Sequence, residues 1–496
     1  MDTHDLRFDA EVGMHLIGAG AIGGKAKGLV FLNELLGKAA DLADDFPGVA
    51  IDIPQSLVIA GAVFEMYVAE NGLAHLGTSD AADEEVADAF LKGRMPSGVT
   101  KSLGRYLERH SHPLAIRSSG MLEDAVNHAY AGLYRTYMLS NDQPHMEDRL
   151  ENLVRAVKLV FASTFYAGPK AYARRIGHRP ETWQMAVIVQ QAAGAPHKRF
   201  FYPAISGVVQ SLNYYPLTGL KPEDGVATIA LGMGKQVVAG ERALQFCPKH
   251  PAKLMQRSRV EDVLSHAQRR FYAVELEAPH TLDAHGRDHM VHRLVSDAED
   301  EPFVKMMAGT YVVEEHRIKE TVRINGPRVL TFAGVLKYDL FPLARLLTRL
   351  LSMGEAAMKV PVEIEFAVDL ATPSSGGAKL YLLQMRPMTA SKANVAVTIE
   401  RDEQKQAVCY SRHAMGNHGG QPIRDVIYVK TATFDPGQTR AIARDVARLN
   451  ARPVGIGGSM AWNSGPLDRH LQRGGDRGNH IGKAQCGTVH RRAFFP

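Results

Sequence analysis

Glu363 and Glu365 alternate with Ile364 and Phe366, and further on Gln384 and Arg386 alternate with Leu383 and Met385. Side chains two apart on a strand share a face, so each stretch is expected to put two polar groups on one side and two apolar groups on the other. Neighbouring carboxylates repel unless something offsets them. Mg2+ suits that task because it takes one or two carboxylates plus phosphate oxygens rather than an all-protein cage. A solvent-facing acidic strand accounts for Glu363 and Glu365 equally well in isolation. If the two stretches pair, a carboxylate pair, an amide oxygen and a guanidinium converge on one surface.

Two other positions could hold phosphate. Gly18-Ala19-Gly20-Ala21-Ile22-Gly23 fits G-x-G-x-x-G, which a dinucleotide fold uses to bring a pyrophosphate onto a helix N-terminus. The strand before it is short, however, and the acids that should follow, Asp41, Asp44 and Asp45, lie beyond the next helix with no clear second strand ahead of them. A Walker loop fails because Ala19 stands five residues before Gly24 and Ala26 follows Lys25. What survives is a simpler phosphate site, with backbone N–H groups at a glycine-rich helix start and Lys25 in the same loop. An ordinary helix entry with a solvated lysine is the alternative. Arg117 follows the strand-like Leu114-Ala115-Ile116 and precedes Ser118-Ser119, where a planar fork of donors can grip phosphate oxygens bidentately. Its alternative is an ion pair with Glu123 or Asp124.

These groups need elements to carry them. The glycine stretch from Gly18 to Gly28 opens an amphipathic helix running through Leu36, and Leu114 to Ile116 reads as a strand feeding a polar loop. Apolar spacing predicts helices over Met146 to Phe165 and Phe341 to Met358, and buried strands at Met185 to Gln190, Gly207 to Val209 and Val226 to Ala230. The polar, His-rich stretch from Lys249 to about Glu301 reads as a loop or insertion. The Ser/Gly turn between Pro373 and Gly377 favours an antiparallel pairing of Val362–Asp369 with Lys379–Arg386. Thr439 to Leu449 could add a short helix.

Composition bounds the class. The chain has 496 residues, 45% apolar and 22% charged, as in an ordinary globular protein of several domains. Of 58 basic and 53 acidic residues, seven and two fall between 452 and 496, leaving 51 of each sign elsewhere. The net charge of +5 therefore belongs to the tail, and no basic field for nucleic acid covers the body. Cys247, Cys409 and Cys486 are too scattered for a disulfide framework or a cysteine zinc site. No apolar run of membrane-spanning length and no secretory leader pattern occurs, so no membrane is expected and the cytoplasm is the expected compartment. The 21 histidines show no H-E-x-x-H spacing. His413 and His418 could accept a phosphoryl group or be plain loop histidines. There is no G-x-S-x-G elbow and no H-R-D loop.

Taken in order, these stretches resemble the N-terminal nucleotide-binding region of the phosphoenolpyruvate synthase and pyruvate phosphate dikinase family. The matching segments are Gly23 to Leu29, Ala115 to Ser119 with Glu123-Asp124 and Ala131-Gly132, and Met185 to Gln190. Leu231 to Gly234 with Val238 to Glu241, Ile364 to Asp369, and Leu380 to Pro387 complete the series. The resemblance implies an α+β, ATP-grasp-like fold of two subdomains that binds Mg·ATP and passes a phosphoryl group to a histidine on a separate domain, releasing AMP. Subdomains are expected at 1–180 and 181–395, with a short extension at 396–451 and a poorly structured basic, glycine-rich tail at 452–496. Carried over by residue, Gly24, Lys25 and Arg117 would hold phosphates, and Glu363 and Glu365 would hold metal or ribose. Gln384 would support the metal with Glu365, and Arg386 would stabilise the transferring charge, leaving Arg117 and Arg386 as the catalytic pair. The family's Gly-Gly stretch leading to Thr-Ser-His is missing, Ser411-Arg412-His413 is a poor substitute, and no long α/β barrel for pyruvate follows. The expectation is thus an ATP-binding half that needs an acceptor domain or protein in trans. A non-catalytic Mg·ATP-binding regulator is the alternative, followed by an NAD-dependent oxidoreductase resting on Gly18 to Gly23.

Overall fold

A computed structural model describes residues 6–9, 14–39, 41–121, 132–176, 183–214, 216–217, 219–254, 260–278, 281–283, 285–370 and 377–388; beyond these, only 402, 425–428, 441, 444–445 and 459–462 are described. The chain divides into two compact units, Met1–Asn213 with Leu217–Met388, and Tyr214–Pro216 with Thr389–Pro496. In the second unit Asp425–Tyr428 and Ser459–Trp462 pair as parallel strands.

The first sheet of the first unit runs Arg7–Asp9, Met14–Ile17, Ser56–Ile59, Met185–Gln191, Leu114–Gly120, Thr136–Leu139. The inner strands are apolar on both faces, as continuous runs such as Met185 to Val189 require. Ile17, Leu57, Ile59, Leu114, Ile116, Val187 and Val189 join a core built with helices Gly61–Glu70, Asp83–Lys92, Ser97–Leu107 and Met146–Ser163. Met14, Leu16, Val58, Ala186 and Ile188 belong to a different core on the opposite face.

That other core is shared with a second sheet, ordered His250–Leu254, Leu244–Cys247, Val226–Ala230, Ile205–Gln210, Val362–Asp369, Ala378–Pro387, Val49–Asp52. Helix Leu343–Met358 covers it with Leu343, Leu346, Leu347, Leu350 and Leu351, and helix Gly23–Gly37 contributes Ala26, Leu29 and Leu32. The chain passes between the sheets more than once. Met185–Gln191 is a central strand of the first sheet, and Val49–Asp52 is an edge strand of the second.

The stretch from Lys249 to Glu301, expected to be a loop or insertion, carries the strands His250–Leu254, Arg270–Glu275 and Met290–Leu294 and the helix Val260–His266. Arg270–Glu275 pairs with Met290–Leu294 and Phe200–Tyr202, and Ala195–His197 closes a four-stranded sheet. Phe271 and Ala273 are buried on one face of Arg270–Glu275 and Val274 on the other, while Arg270 stands in solvent and Tyr272 and Glu275 are half-buried. That mixed pattern concealed the strand.

Candidate functional site

Strands Val362–Asp369 and Ala378–Pro387 pair antiparallel, with Glu363 opposite Arg386 and Glu365 opposite Gln384. Val362, Ile364, Phe366 and Val368 enter the shared core, which sends both carboxylates to the opposite face. The register slips between Glu365 and Phe366, so that Phe366 faces Leu382 and Leu383 has no partner of its own. This is a β-bulge, which leaves the extra residue unpaired and re-aims its neighbours. Leu383 was expected to point with Met385. Instead Met385 is in the shared core, and the bulge turns Leu383 against Ala193, Ala367 and Tyr381 on the face of the carboxylates.

Arg117 reaches this face from the first sheet. Leu114 and Ile116 are committed to the helix-covered core, so Arg117 projects from the opposite side, with Ile188 as its cross-strand neighbour. It lies within the strand Leu114–Gly120, not in a loop after it. Its Nη2 donates to Glu365 Oε2 at 2.9 Å and to Gln384 Oε1 at 3.0 Å. Its Nη1 donates to Gln190 Oε1 and to the carbonyl of bulged Leu383, both at 3.1 Å. One guanidinium thereby ties two sheets together, and its side chain is only 12% exposed. Glu123 and Asp124, the alternative partners, lie outside the described residues.

One rung along, Arg386 Nε donates to Glu363 Oε1 at 2.7 Å and Gln210 Nε2 to Glu363 Oε2 at 2.6 Å, so Glu363 orients Arg386. In the other direction the face continues through Ala367 and Tyr381 to Asp369, whose carboxyl burial pushes above its ordinary range.

The glycine loop meets the same region. Helix Gly23–Gly37 starts against Ser119, whose Oγ accepts from the Ala26 N–H at 3.1 Å and donates to the Ile22 carbonyl at 2.8 Å. Gly23 has φ +76°, and a Cβ there would lie 1.7 Å from the Ser119 carbonyl oxygen. One turn on, a Cβ at Gly28 would lie 2.7 Å from the Met385 carbonyl oxygen. Close packing on both sheets thus explains these glycines, Gly23 being the third of the G-x-G-x-x-G spacing, without a dinucleotide. Gly24 sits in the first turn, and Lys25 Nζ lies 3.5 Å from Ser118 Oγ, beside Arg117 in sequence. That turn has no acidic residue, so Lys25 faces the positive end of the helix dipole, an arrangement that an anion would relieve.

The structure therefore gathers Arg117, Glu363, Glu365, Gln384 and Arg386 around one face, with Gly24 and Lys25 in the first turn of the helix that starts against Ser119, while His413 and His418 lie outside the described residues. Gln190, Gln210 and the Leu383 carbonyl were not expected to take part. The one available sign was a buried amide ending an apolar run at Gln190, which is 2% exposed and whose Nε2 donates to Ser56 Oγ at 3.2 Å. Among the described residues no group of three or more His, Cys, Asp or Glu could hold a metal ion. Glu365 and Gln384 do offer adjacent hard oxygens of the kind Mg2+ accepts, so such a cation fits if phosphate or water completes its shell.

Residues 19–407 match the pyruvate phosphate dikinase AMP/ATP-binding domain family. The phosphoenolpyruvate synthase of Aeropyrum pernix is 25% identical over 227 residues, covering 41% of this chain and 25% of that protein. The match thus spans a quarter of the relative's length. The fold is α+β and ATP-grasp-like, no helix among the described residues is long and apolar enough to cross a membrane, and the chain belongs to the pyruvate phosphate dikinase AMP/ATP-binding domain family.

Proposed function

We propose that the chain binds Mg·ATP on the face carrying Glu363, Glu365, Gln384 and Arg386, and serves as the ATP half of a phosphotransferase. The observation that supports this best is the meeting of Arg117 with Glu365 and Gln384 beside a helix N-terminus that carries Lys25. Phosphoryl transfer is catalysed mainly by positioning and by fixed charge, and this face supplies both. Lys25 and the backbone at Gly24 hold the phosphate tail, and Arg117 and Arg386 stabilise charge on the group in transit. Glu365 and Gln384 take Mg2+, which neutralises the phosphates. Glu363 aims Arg386. The apolar patch of Ala193, Ala367, Tyr381 and Leu383 on the same face offers a seat for the base.

The acceptor is a histidine on another domain or protein acting in the cytoplasm, and AMP is the product. Calorimetric titration with ATP, with and without Mg2+, tests the first half; AMP release on adding a histidine-bearing acceptor domain of this family tests the second. Magnesium-dependent binding without AMP release would leave a nucleotide-binding regulator. No binding by the folded chain would overturn the reading.

A further inference from the structure

We propose that Arg117 and a divalent cation exchange places on Glu365 and Gln384, so that the site takes metal only together with a phosphate-bearing ligand. The inference rests on the Mg·ATP reading above. Arg117 Nη2 donates at once to Glu365 Oε2 and Gln384 Oε1, at 2.9 and 3.0 Å. These are the oxygens a metal would use, on residues directly opposite in the ladder. A cation held by Glu365 and Gln384 would take the oxygens that Nη2 now occupies as donor. Two cations cannot share that position, because a unit charge and a double charge a few Å apart repel strongly in a partly dry site. Metal entry therefore requires the guanidinium to leave.

Leaving has a cost that depends on what Arg117 meets. Its side chain is 12% exposed, so withdrawal into nothing strands a charge away from water, which is expensive. Phosphate oxygens are the natural replacement for a carboxylate, since they accept the same planar fork. Mg2+ arrives already attached to such oxygens. With the nucleotide present, Glu365 trades one cation for another and Arg117 trades carboxylate for phosphate, so every charge stays paired. With metal alone, the described residues that Arg117 bonds offer no acid besides Glu365. The guanidinium thus acts as a placeholder that keeps the carboxylate satisfied and excludes free metal.

Mn2+ alone is the probe, titrated into the full chain and followed by electron paramagnetic resonance of the free ion. Arg117→Met, which keeps the length and removes the charge, is expected to bind Mn2+ at least about tenfold more tightly than the natural chain, the factor from loss of one charged hydrogen bond. Arg117→Lys keeps a cation and should stay near the natural affinity. Adding Glu365→Gln to Arg117→Met should abolish the gain. Equal Mn2+ affinity in the natural chain and Arg117→Met, or a gain that survives Glu365→Gln, overturns the exchange. If Arg117→Met does not fold, the natural chain decides: Mn2+ affinity should rise about tenfold or more when ATP is present, and ATP-independent Mn2+ affinity overturns the proposal. Absence of ATP binding would instead refute the nucleotide reading, which the metal-only titration of Arg117→Met does not use.

Discussion

Replacing Gln190 by Leu tests whether the first sheet aims Arg117. The amide is 2% exposed, accepts from Arg117 Nη1 at 3.1 Å and donates to Ser56 Oγ at 3.2 Å. Ser56 Oγ in turn donates to the Pro54 carbonyl at 2.9 Å, so the chain of bonds ends on fixed backbone. A hydrogen bond to a charged group contributes about 1.5–3 kcal/mol. Leucine returns roughly 1 kcal/mol of apolar burial, and Arg117 keeps the Leu383 carbonyl, Glu365 and Gln384. The net loss should be about 1–2 kcal/mol of folding stability by urea denaturation. If Arg117 must be pointed correctly to meet phosphate, Mg·ATP affinity should fall about tenfold in calorimetry. Ser56→Ala, which removes only the outer bond, should cost less on both scales. Gln190→Glu supplies a competing carboxylate: it should hold Arg117 harder and weaken ATP binding without a matching loss of stability. Gln190→Leu with ATP affinity within about twofold of the natural chain would refute the positioning role, whatever happened to stability.

Gly23→Ala should cost more than about 3 kcal/mol, because it combines a left-handed backbone with a Cβ 1.7 Å from the Ser119 carbonyl oxygen; thermal unfolding measures it. Arg386→Ala should slow AMP formation with a histidine acceptor by about 10²-fold or more while ATP binding falls much less, as single-turnover kinetics would show. His15, His110 and His112 form one cluster of rings, and burial holds each below its ordinary pKa of 6.5. The unfolded chain then binds protons more readily, so the stability they contribute is present at neutral pH and is lost as pH falls below about 6.5. His110→Gln should flatten the decline between about pH 7 and 5 in urea titrations.

The sequence made much of this face legible because its pattern has period two. Glu363 and Glu365 share a side because Ile364 and Phe366 must be buried, and the Ser/Gly composition between Pro373 and Gly377 favoured the antiparallel pairing that the two strands show. The register that sets Glu365 against Gln384 was open to inference for the same reason. The bulge was not, since one unpaired residue at Leu383 leaves no mark in a run of apolar side chains. The sheet formed by Arg270–Glu275 and its neighbours was hidden too. Its strands are short, and the apolar set of one is covered by residues distant in sequence, such as Phe201 opposite Val274.

Arg117 shows where local reading reaches its limit. Its position after Leu114 and Ile116 indicates a charged side chain leaving an apolar strand, and that much needs no fold. Which acid it meets depends on which sheet faces it, and Glu365 is 248 residues away. The near acids, Glu123 and Asp124, were the alternative partners that nearness in sequence offers, and they lie outside the described residues. The glycines make the converse point. Gly18 to Gly23 invited a ligand-based reading, yet Gly23 is required by Ser119 and Gly28 by Met385. Small residues here let a helix sit tightly on two sheets, and Lys25 in its first turn comes to lie beside Ser118. In this chain the glycines are explained by packing, whatever the helix start they form goes on to bind.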